Sequence, residues 1–385
     1  MKEGNENGIK ATAFAALSLA FASVGDAFLY PFLPVSSSAV GVPVAWVGLL
    51  LSINRFVRIF SNAIIVRLFA KFGLRALMIT AVILAVISTF GYALAAGLLA
   101  WLAFRILWGI SFSAMRIGTL GYALQAQRSG FALGLSRGLQ EAGPMASLFI
   151  APLLLNHFAP NSIFNVLGLL SLPALYFAWM LPKGEDKTLP VESNPFLNWP
   201  TTLNSITFLS AVLIDGVIVI ALGVLFLHYR VAITPINAAM LAAFYLGYRR
   251  ICLVALSPAG GWIADKVGLK HVFNSSIVLV IIGLLVIVSG WIATGAVIVF
   301  TFYGINSAMT PGFVSKGREH GLVAVAENAT WRDMGAAIGT LVGGVLILSP
   351  YLNNFLIGAI FLLALFVFVQ LGTARKTLKL LYLWK

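Results

Sequence analysis

The chain has 385 residues, of which 60% are hydrophobic and only 10% are charged, and its formal net charge is +13. Soluble globular proteins carry about 25% charged residues, so this composition excludes an ordinary soluble domain and indicates a polytopic membrane protein. A single cysteine, Cys252, excludes an internal disulfide. No group of cysteines and histidines has the spacing of a metal site, so we expect neither a metal nor a cofactor.

Apolar segments long enough to cross a bilayer recur along the whole chain. A spanning helix needs about 20 mostly apolar residues. Twelve segments meet this requirement, at residues 11–33, 44–67, 76–96, 98–121, 131–155, 162–181, 204–228, 236–258, 271–292, 295–314, 321–347 and 351–373. The first is too long for the core of a signal peptide, and we interpret it as an uncleaved span. The predicted fold class is an all-α membrane protein with twelve transmembrane helices.

Basic residues alternate between the connections of these spans. One set of connections contains Arg67, Lys71, Arg75, Arg128, Lys183, Lys187, Lys266, Lys270, Lys316 and Arg318, and both chain ends share this character. The other set contains one basic residue, Arg230. Because cytoplasmic loops carry an excess of Lys and Arg, both termini are predicted to lie in the cytoplasm of a multi-pass protein of the cell membrane, in bacteria the inner membrane. The net positive charge therefore requires no nucleic-acid partner.

The longest polar stretch, LPKGEDKTLPVESNPFLNWP at 181–200, divides the spans into six and six. Such a stretch is typical of a cytoplasmic linker. We therefore predict a six-helix bundle over 1–181, a linker over 182–203 and a second six-helix bundle over 204–385.

The two halves repeat each other. FGLR at 72–75 matches VGLK at 267–270, and LWGISFSAM at 107–115 matches FYGINSAM at 302–309, both at an offset of 195 residues. Arg55 and Arg250 share that offset, while Asp26 pairs with Asp215 and Glu141 with Asp333 at nearby offsets. Five matches in order indicate duplication, which is common in secondary transporters. The bundles are therefore expected to be pseudo-symmetric.

At this point the chain resembles the major facilitator superfamily over essentially its whole length. GWIADKVGLK at 261–270 fits that superfamily's loop motif at Gly261, Asp265, Lys266, Gly268 and Lys270. The first copy, VRLFAKFGLR at 66–75, lacks the motif's glycine and aspartate. RILWG at 105–109 is similar to the family's Arg-x-x-x-Gly motif, and AGP at 142–144 is part of a motif associated with export antiporters. The resemblance implies alternating access, with the loop at 261–270 acting in gating.

Charged residues inside the spans are the candidate functional residues. Each costs about 2.5–3.5 kcal/mol at the centre of a spanning helix, so the set must face protein or water. The candidates for substrate binding or proton coupling are Asp26, Arg55, Arg58, Arg105, Arg137, Glu141, Asp215, Arg250, Arg332 and Asp333. They fall in spans that, by the resemblance, line or flank a central cavity. The lipid-facing spans of that family have essentially none here.

Spacing predicts some neighbours. Arg137 and Glu141 are four apart and can pair along one helix, whereas Arg332 and Asp333 are adjacent and should point about 100° apart. Asp26 is expected to face the cavity close to Arg55 or Arg58, where it can exchange protons. Arg105 has two interpretations that the sequence leaves open, a proton relay or a structural arginine held by backbone carbonyls.

These features predict a non-enzymatic secondary transporter, working as a monomer on a small organic solute. Arginines bind carboxylate and phosphate well, which points to an anionic or zwitterionic solute. Proton coupling and the partial AGP motif favour an antiporter acting in efflux. Two alternatives remain open: a flippase for an amphipathic lipid-linked molecule, and a transporter-like sensor or assembly factor that moves nothing.

Overall fold

The structure is a computed structural model of the chain and describes residues 2–95, 97–126, 129–155, 157–182, 199–229, 234–315 and 321–382. Every regular element in these ranges is helical. The chain forms two compact units, Met1–Ser193 with Thr234–Gly247, and Asn194–Ile233 with Tyr248–Lys385. The helix that begins at Pro235 contributes its first residues to the first unit and the remainder to the second.

The first unit contains eight helices that account for the first six predicted spans. They are α1 Lys2–Ala22, α2 Val24–Ser36, α3 Val47–Phe72, α4 Leu74–Leu94, α5 Gly97–Gln125, α6 Ser129–Leu154, α7 Pro160–Ser171 and α8 Pro173–Trp179. Short 3₁₀ turns at Ser37–Val40 and Val44–Trp46 lead from α2 into α3. Two predicted spans are thus each built from two helices, 11–33 from α1 and α2, and 162–181 from α7 and α8.

The two interruptions have identifiable causes. Between α1 and α2, the Oγ of Ser23 donates a hydrogen bond of 2.7 Å to the carbonyl of Leu19, which also accepts from the Ser23 amide at 3.0 Å. Such back-bonding by serine bends helices. Between α7 and α8, Pro173 has no amide hydrogen to donate and ends the regular ladder. The bend at Ser23 lies three residues before Asp26.

The second unit contains α9 Thr202–Ser210, a π-helical segment Ala211–Ile218, α10 Val219–Tyr229, α11 Pro235–Val267, α12 Leu269–Val288, α13 Ile292–Ser315, α14 Gly321–Leu346 and α15 Leu352–Tyr382. The predicted seventh span, 204–228, is therefore continuous but changes its winding in the middle. π-Helical turns are rare and are often found at functional sites. Asp215 lies in this segment.

Ten helical stretches among the described residues are long and apolar enough to cross a membrane, which identifies a multi-pass membrane protein. They correspond to ten of the twelve predicted spans. The other two predictions, 131–155 and 321–347, correspond to α6 and α14, each 26 residues long. These two helices are more polar because they carry the charged pairs Arg137–Glu141 and Arg332–Asp333.

The repeat is visible in matching loops. Gly73, between α3 and α4, has a φ of 79°, and Gly268, between α11 and α12, has a φ of 97°. Each glycine amide donates to the carbonyl four residues earlier, at 2.9 Å for Gly73 and 2.8 Å for Gly268. Positive φ values are readily adopted only by glycine. The matched sequences FGLR and VGLK therefore form the same tight connection.

Helices within each unit approach closely at small residues. Cys252 of α11 is 3% exposed and faces α13, where a Cβ on Gly304 would lie 3.1 Å from the Cys252 carbonyl oxygen. In the first unit, Trp108 and Met78 are fully buried in an apolar core formed by α1, α3, α4, α5 and α8.

Candidate functional site

The first charged cluster joins three helices of the first unit. Nη1 of Arg105, on α5, donates to Oδ1 of Asp26, on α2, and the two side chains form an ion pair. Nε of Arg105 donates to the carbonyl oxygen of Leu50, on α3, at 2.8 Å. The Arg105 side chain is fully buried, whereas the Asp26 side chain is 16% exposed. The carboxylate is thus the member of the pair that water can reach.

Arg105 contacts both a backbone carbonyl and a carboxylate, so its geometry is compatible with both of the interpretations that the sequence leaves open. The ion-pair partner of Asp26 is Arg105, and the expectation that Asp26 lies close to Arg55 or Arg58 stays a prediction. Arg55 instead stacks over the Tyr30 ring at 5.4 Å, and Arg58 lies 4.9 Å from the centre of the Phe112 ring. The α3 arginines are one helix turn apart, and aromatic faces accommodate their guanidinium groups.

The second charged cluster joins three helical elements of the second unit. Arg249, on α11, pairs with Oδ1 of Asp215, in the π-helical segment. Tyr303, on α13, donates its hydroxyl to Oδ2 of the same carboxylate at 2.6 Å. The Arg249 guanidinium also lies 5.8 Å from the centre of the Tyr303 ring. Each carboxylate oxygen of Asp215 therefore accepts a hydrogen bond, and the two donors, Arg249 and Tyr303, also contact each other.

The two clusters match each other in the position of the carboxylate but differ in the helix that supplies the arginine. Each has a carboxylate in the first span of its half, but its arginine comes from a different helix. At the offset of 195 residues, Arg105 corresponds to Phe300, and Arg249 corresponds to Asn54. The Arg249 guanidinium lies 6.0 Å from the Phe300 ring. The positive charge is thus supplied by the fourth span of the first half and by the second span of the other.

The candidate residues include Arg250, which matches Arg55 at the repeat offset, whereas the ion pair with Asp215 is formed by its neighbour Arg249. A repeat offset that drifts by several residues cannot decide between adjacent arginines.

The π-helical segment is held against α14 by glycines. A Cβ on Gly216 would lie 2.5 Å from the Cα of Gly339, and one on Gly343 would lie 3.0 Å from the Cα of Val217. Gly335 meets the carbonyl of Phe208 in the same way. The stripe Gly335–Gly339–Gly343 is therefore a close-packing surface. In the first unit the corresponding close approach is between Gly143 of α6 and the carbonyl of Ala20 in α1. Gly134 and Gly138 of α6 face open space.

The remaining predicted residues lie on α6, α11, α12 and α14. Nη2 of Arg137 is 3.8 Å from Oε1 of Glu141, which is the pair expected from their spacing. Nη2 of Arg332 is 3.5 Å from Oδ1 of Asp333. Although adjacent helix positions point in different directions, the ends of these two side chains meet.

The predicted gating residues surround the end of α11. Gly268 forms the turn described above, Lys266 is exposed, and Lys270 is partly exposed in the first turn of α12. Gly261 and Asp265 lie within α11, and the surroundings of both residues fall outside the described part of the structure. Among the residues that the structure describes, no cluster of three or more potential metal ligands occurs.

A pocket that opens to solvent lies within the second unit between α9, α13 and α14. Eight of its twelve lining residues carry polar side chains. The residues that line it are Ile206, Thr207, Ser210, Tyr303, Asn306, Ser307, Thr310, Pro311, Val325, Asn328, Ala329 and Arg332. Tyr303 connects the pocket to the second charged cluster. Sequence analysis included Arg332 but missed the asparagines, although an amide in an apolar helix is a signal of its own.

The sequence matches no protein-family model. It matches no curated protein sequence either. Its fold matches the crystal structures of the nucleoside transporter NupG and of a point mutant of that transporter, each with a TM-score of 0.71 and 14% identity. Each alignment covers 95% of this chain and 98% of the other. The chain therefore shares its fold with that nucleoside transporter over almost its whole length.

Proposed function

We propose that this protein is a proton-coupled secondary transporter of a small organic solute that works by alternating access. The observation that carries the proposal is the ion pair between the buried Arg105 and the partly exposed Asp26. Protonation of Asp26 would remove the charge that Arg105 faces. Breaking a buried ion pair costs about 3–5 kcal/mol, so a protonated Asp26 would disfavour the conformation described here. This is the energetic link that proton coupling requires.

The proposal includes twelve spans, two six-helix bundles over 1–181 and 204–385, a cytoplasmic linker over 182–203 and cytoplasmic termini. The distribution of Lys and Arg among the connections supports this orientation. Irregular helical segments beside both carboxylates, a bend near Asp26 and a π-helical segment around Asp215, support a transport path, because secondary transporters commonly form their sites from irregular helices near the middle of the membrane. We further propose that the protein acts as a monomeric exporter and performs no enzymatic chemistry.

The test is solute uptake into liposomes containing the purified protein, driven by a pH gradient. Because of the structural likeness to a nucleoside transporter, nucleosides are the first solutes to test, followed by organic anions, amino acids and a labelled lipid. Replacing Asp26 with Asn should abolish gradient-driven uptake and leave solute exchange intact. Asp26→Glu, which keeps the carboxylate, is the matched control and should retain coupling.

Three outcomes would redirect the proposal. Gradient-driven uptake that survives in Asp26→Asn would remove this residue from coupling. Movement of the labelled lipid alone would favour the flippase. Solute binding without movement under any gradient would favour a sensor.

A further inference from the structure

The polar pocket of the second unit has a distinctive hydrogen-bonding arrangement. Nδ2 of Asn328, on α14, donates to Oδ1 of Asn204 at 2.9 Å and to Oγ1 of Thr207 at 3.0 Å. Nδ2 of Asn204 in turn donates to Oε1 of Glu327 at 3.3 Å. Two buried amides therefore form a directed chain that ends on a carboxylate. Hydrogen bonds in such chains polarise one another, so the Oδ1 of Asn328 becomes a stronger acceptor.

The side-chain amide of Asn306, on α13, also donates its hydrogens to other groups of the protein. Its Nδ2 donates to the carbonyl of Phe273 at 3.1 Å and to Oγ of Ser276 at 3.0 Å. An asparagine amide has two donor hydrogens and one acceptor oxygen. Asn306 and Asn328 have thus used their donors on the protein. The group that each can still offer to a bound solute is its carbonyl oxygen.

The pocket also supplies donors. Ser210 is 2% exposed, and its hydroxyl has no hydrogen-bond partner among the described residues. A buried polar group left unpaired is costly, which indicates that a ligand or water completes it. The Arg332 guanidinium lines the same pocket and offers further N–H groups. The lining of this pocket therefore contains hydrogen-bond acceptors from two asparagines and hydrogen-bond donors from Ser210 and Arg332.

Among the described residues, the charges connected to the pocket are arginines that are already paired with carboxylates, which disfavours an anion. Arg332 is paired with Asp333, and Arg249 is paired with Asp215 behind Tyr303. Glu327, at the end of the amide chain, adds one more negative charge. A carboxylate ligand would bring only acceptors to the asparagine oxygens. A cationic ligand would face the Arg332 guanidinium.

We propose that this pocket binds a neutral solute that presents hydrogen-bond donors and acceptors side by side, as carboxamides and lactams do. Its donor would go to the oxygens of Asn328 and Asn306, and its acceptor would receive from Ser210 or Arg332. This inference rests on the proposed function and narrows its substrate class. It replaces the anionic or zwitterionic solute that the arginines suggested in the sequence.

The test uses three probes of nearly identical shape, namely benzamide, benzoate and benzamidine, which are neutral, anionic and cationic at pH 7. Their binding to the full-length protein in nanodiscs is measured by ligand-observed NMR. We expect benzamide to bind about tenfold more tightly than either charged probe, the factor that one good hydrogen bond provides. Equal or tighter binding of benzoate or benzamidine would overturn the proposal.

Three variants locate the binding. Asn328→Ala removes the polarised acceptor and should weaken benzamide binding about tenfold, while Ala329→Leu fills the pocket without touching the amide chain and should abolish binding. Asn353→Ala is the matched control, because Asn353 bonds to Tyr229 away from the pocket. Benzamide binding that survives in Ala329→Leu would overturn the proposal even if Asn328→Ala fails to fold.

Uptake into liposomes separates this inference from the proposed function. Gradient-driven uptake of a solute without benzamide binding would overturn the pocket assignment alone. Benzamide binding sensitive to Ala329→Leu, with no solute moved under any gradient, would support the pocket and overturn the transporter.

Discussion

Replacing Gly216 with Ala should destabilise the second unit, because the π-helical segment and α14 are in backbone contact there. The added Cβ would lie 2.5 Å from the Cα of Gly339 and 2.7 Å from the amide nitrogen of Thr340. Carbon atoms pack best at about 3.5–4.0 Å, so the two elements must separate by about 1 Å or more. Overpacking of this kind costs about 1–3 kcal/mol, and backbone atoms cannot rotate away as side chains can.

The measurement is thermal unfolding of the purified protein, followed by tryptophan fluorescence. A loss of about 3 kcal/mol should lower the Tm by about 6–12 °C, at about 2–4 °C per kcal/mol for a unit of this size. Gly358→Ala is the matched control, because Gly358 lies within α15 and no described atom comes within 4 Å of its added Cβ. That variant should keep or raise the Tm, since alanine favours a helix over glycine by about 1 kcal/mol. Equal melting of the two variants would refute the close contact at Gly216.

Three further predictions concern single groups. Arg105→Gln should cost about 3 kcal/mol because it leaves the Asp26 carboxylate without its buried partner, and adding Asp26→Asn should recover part of that loss; a double variant no more stable than Arg105→Gln in denaturant titration would contradict the pairing. Tyr303→Phe removes a hydrogen bond to a carboxylate and should lower the free energy of unfolding by about 1.5–3 kcal/mol, so an unchanged melting curve would count against the contact. Gly268→Ala should lower the free energy of unfolding by about 1–3 kcal/mol, because the φ of 97° at this position suits glycine alone. Gly134→Ala, whose added Cβ lies in open space, should not destabilise the protein. Equal losses of stability in melting experiments would show that backbone strain is not the cause.

Most of the helical framework could be predicted from the sequence, because spanning helices must be long and apolar whatever their neighbours are. The same holds for the Gly73 and Gly268 connections, whose backbone requires glycine. The changes in winding were not predictable. The bend at Ser23 comes from a local side-chain hydrogen bond, and the π-helical segment around Asp215 is packed against α14. Neither feature leaves a periodic signal in the sequence.

The sequence could predict which charged residues belong to the candidate site, but it could not predict which of them form ion pairs between different helices. Asp26 and Asp215 stand out in any apolar segment, yet their partners depend on which helix faces them. The repeat even misleads here, because Arg105 and Arg249 come from non-equivalent helices. Uncharged groups such as Asn328 give a weaker signal still, and only the fold brings them around one pocket.

The buried thiol on α11 makes this protein convenient for labelling studies. Cys252 is the single cysteine of the chain and is shielded by its packing against Gly304. Cysteines introduced at exposed positions can therefore carry fluorophores or spin labels without first removing the natural one. Maleimide modification of Cys252 itself would report any separation of α11 from α13 during the working cycle.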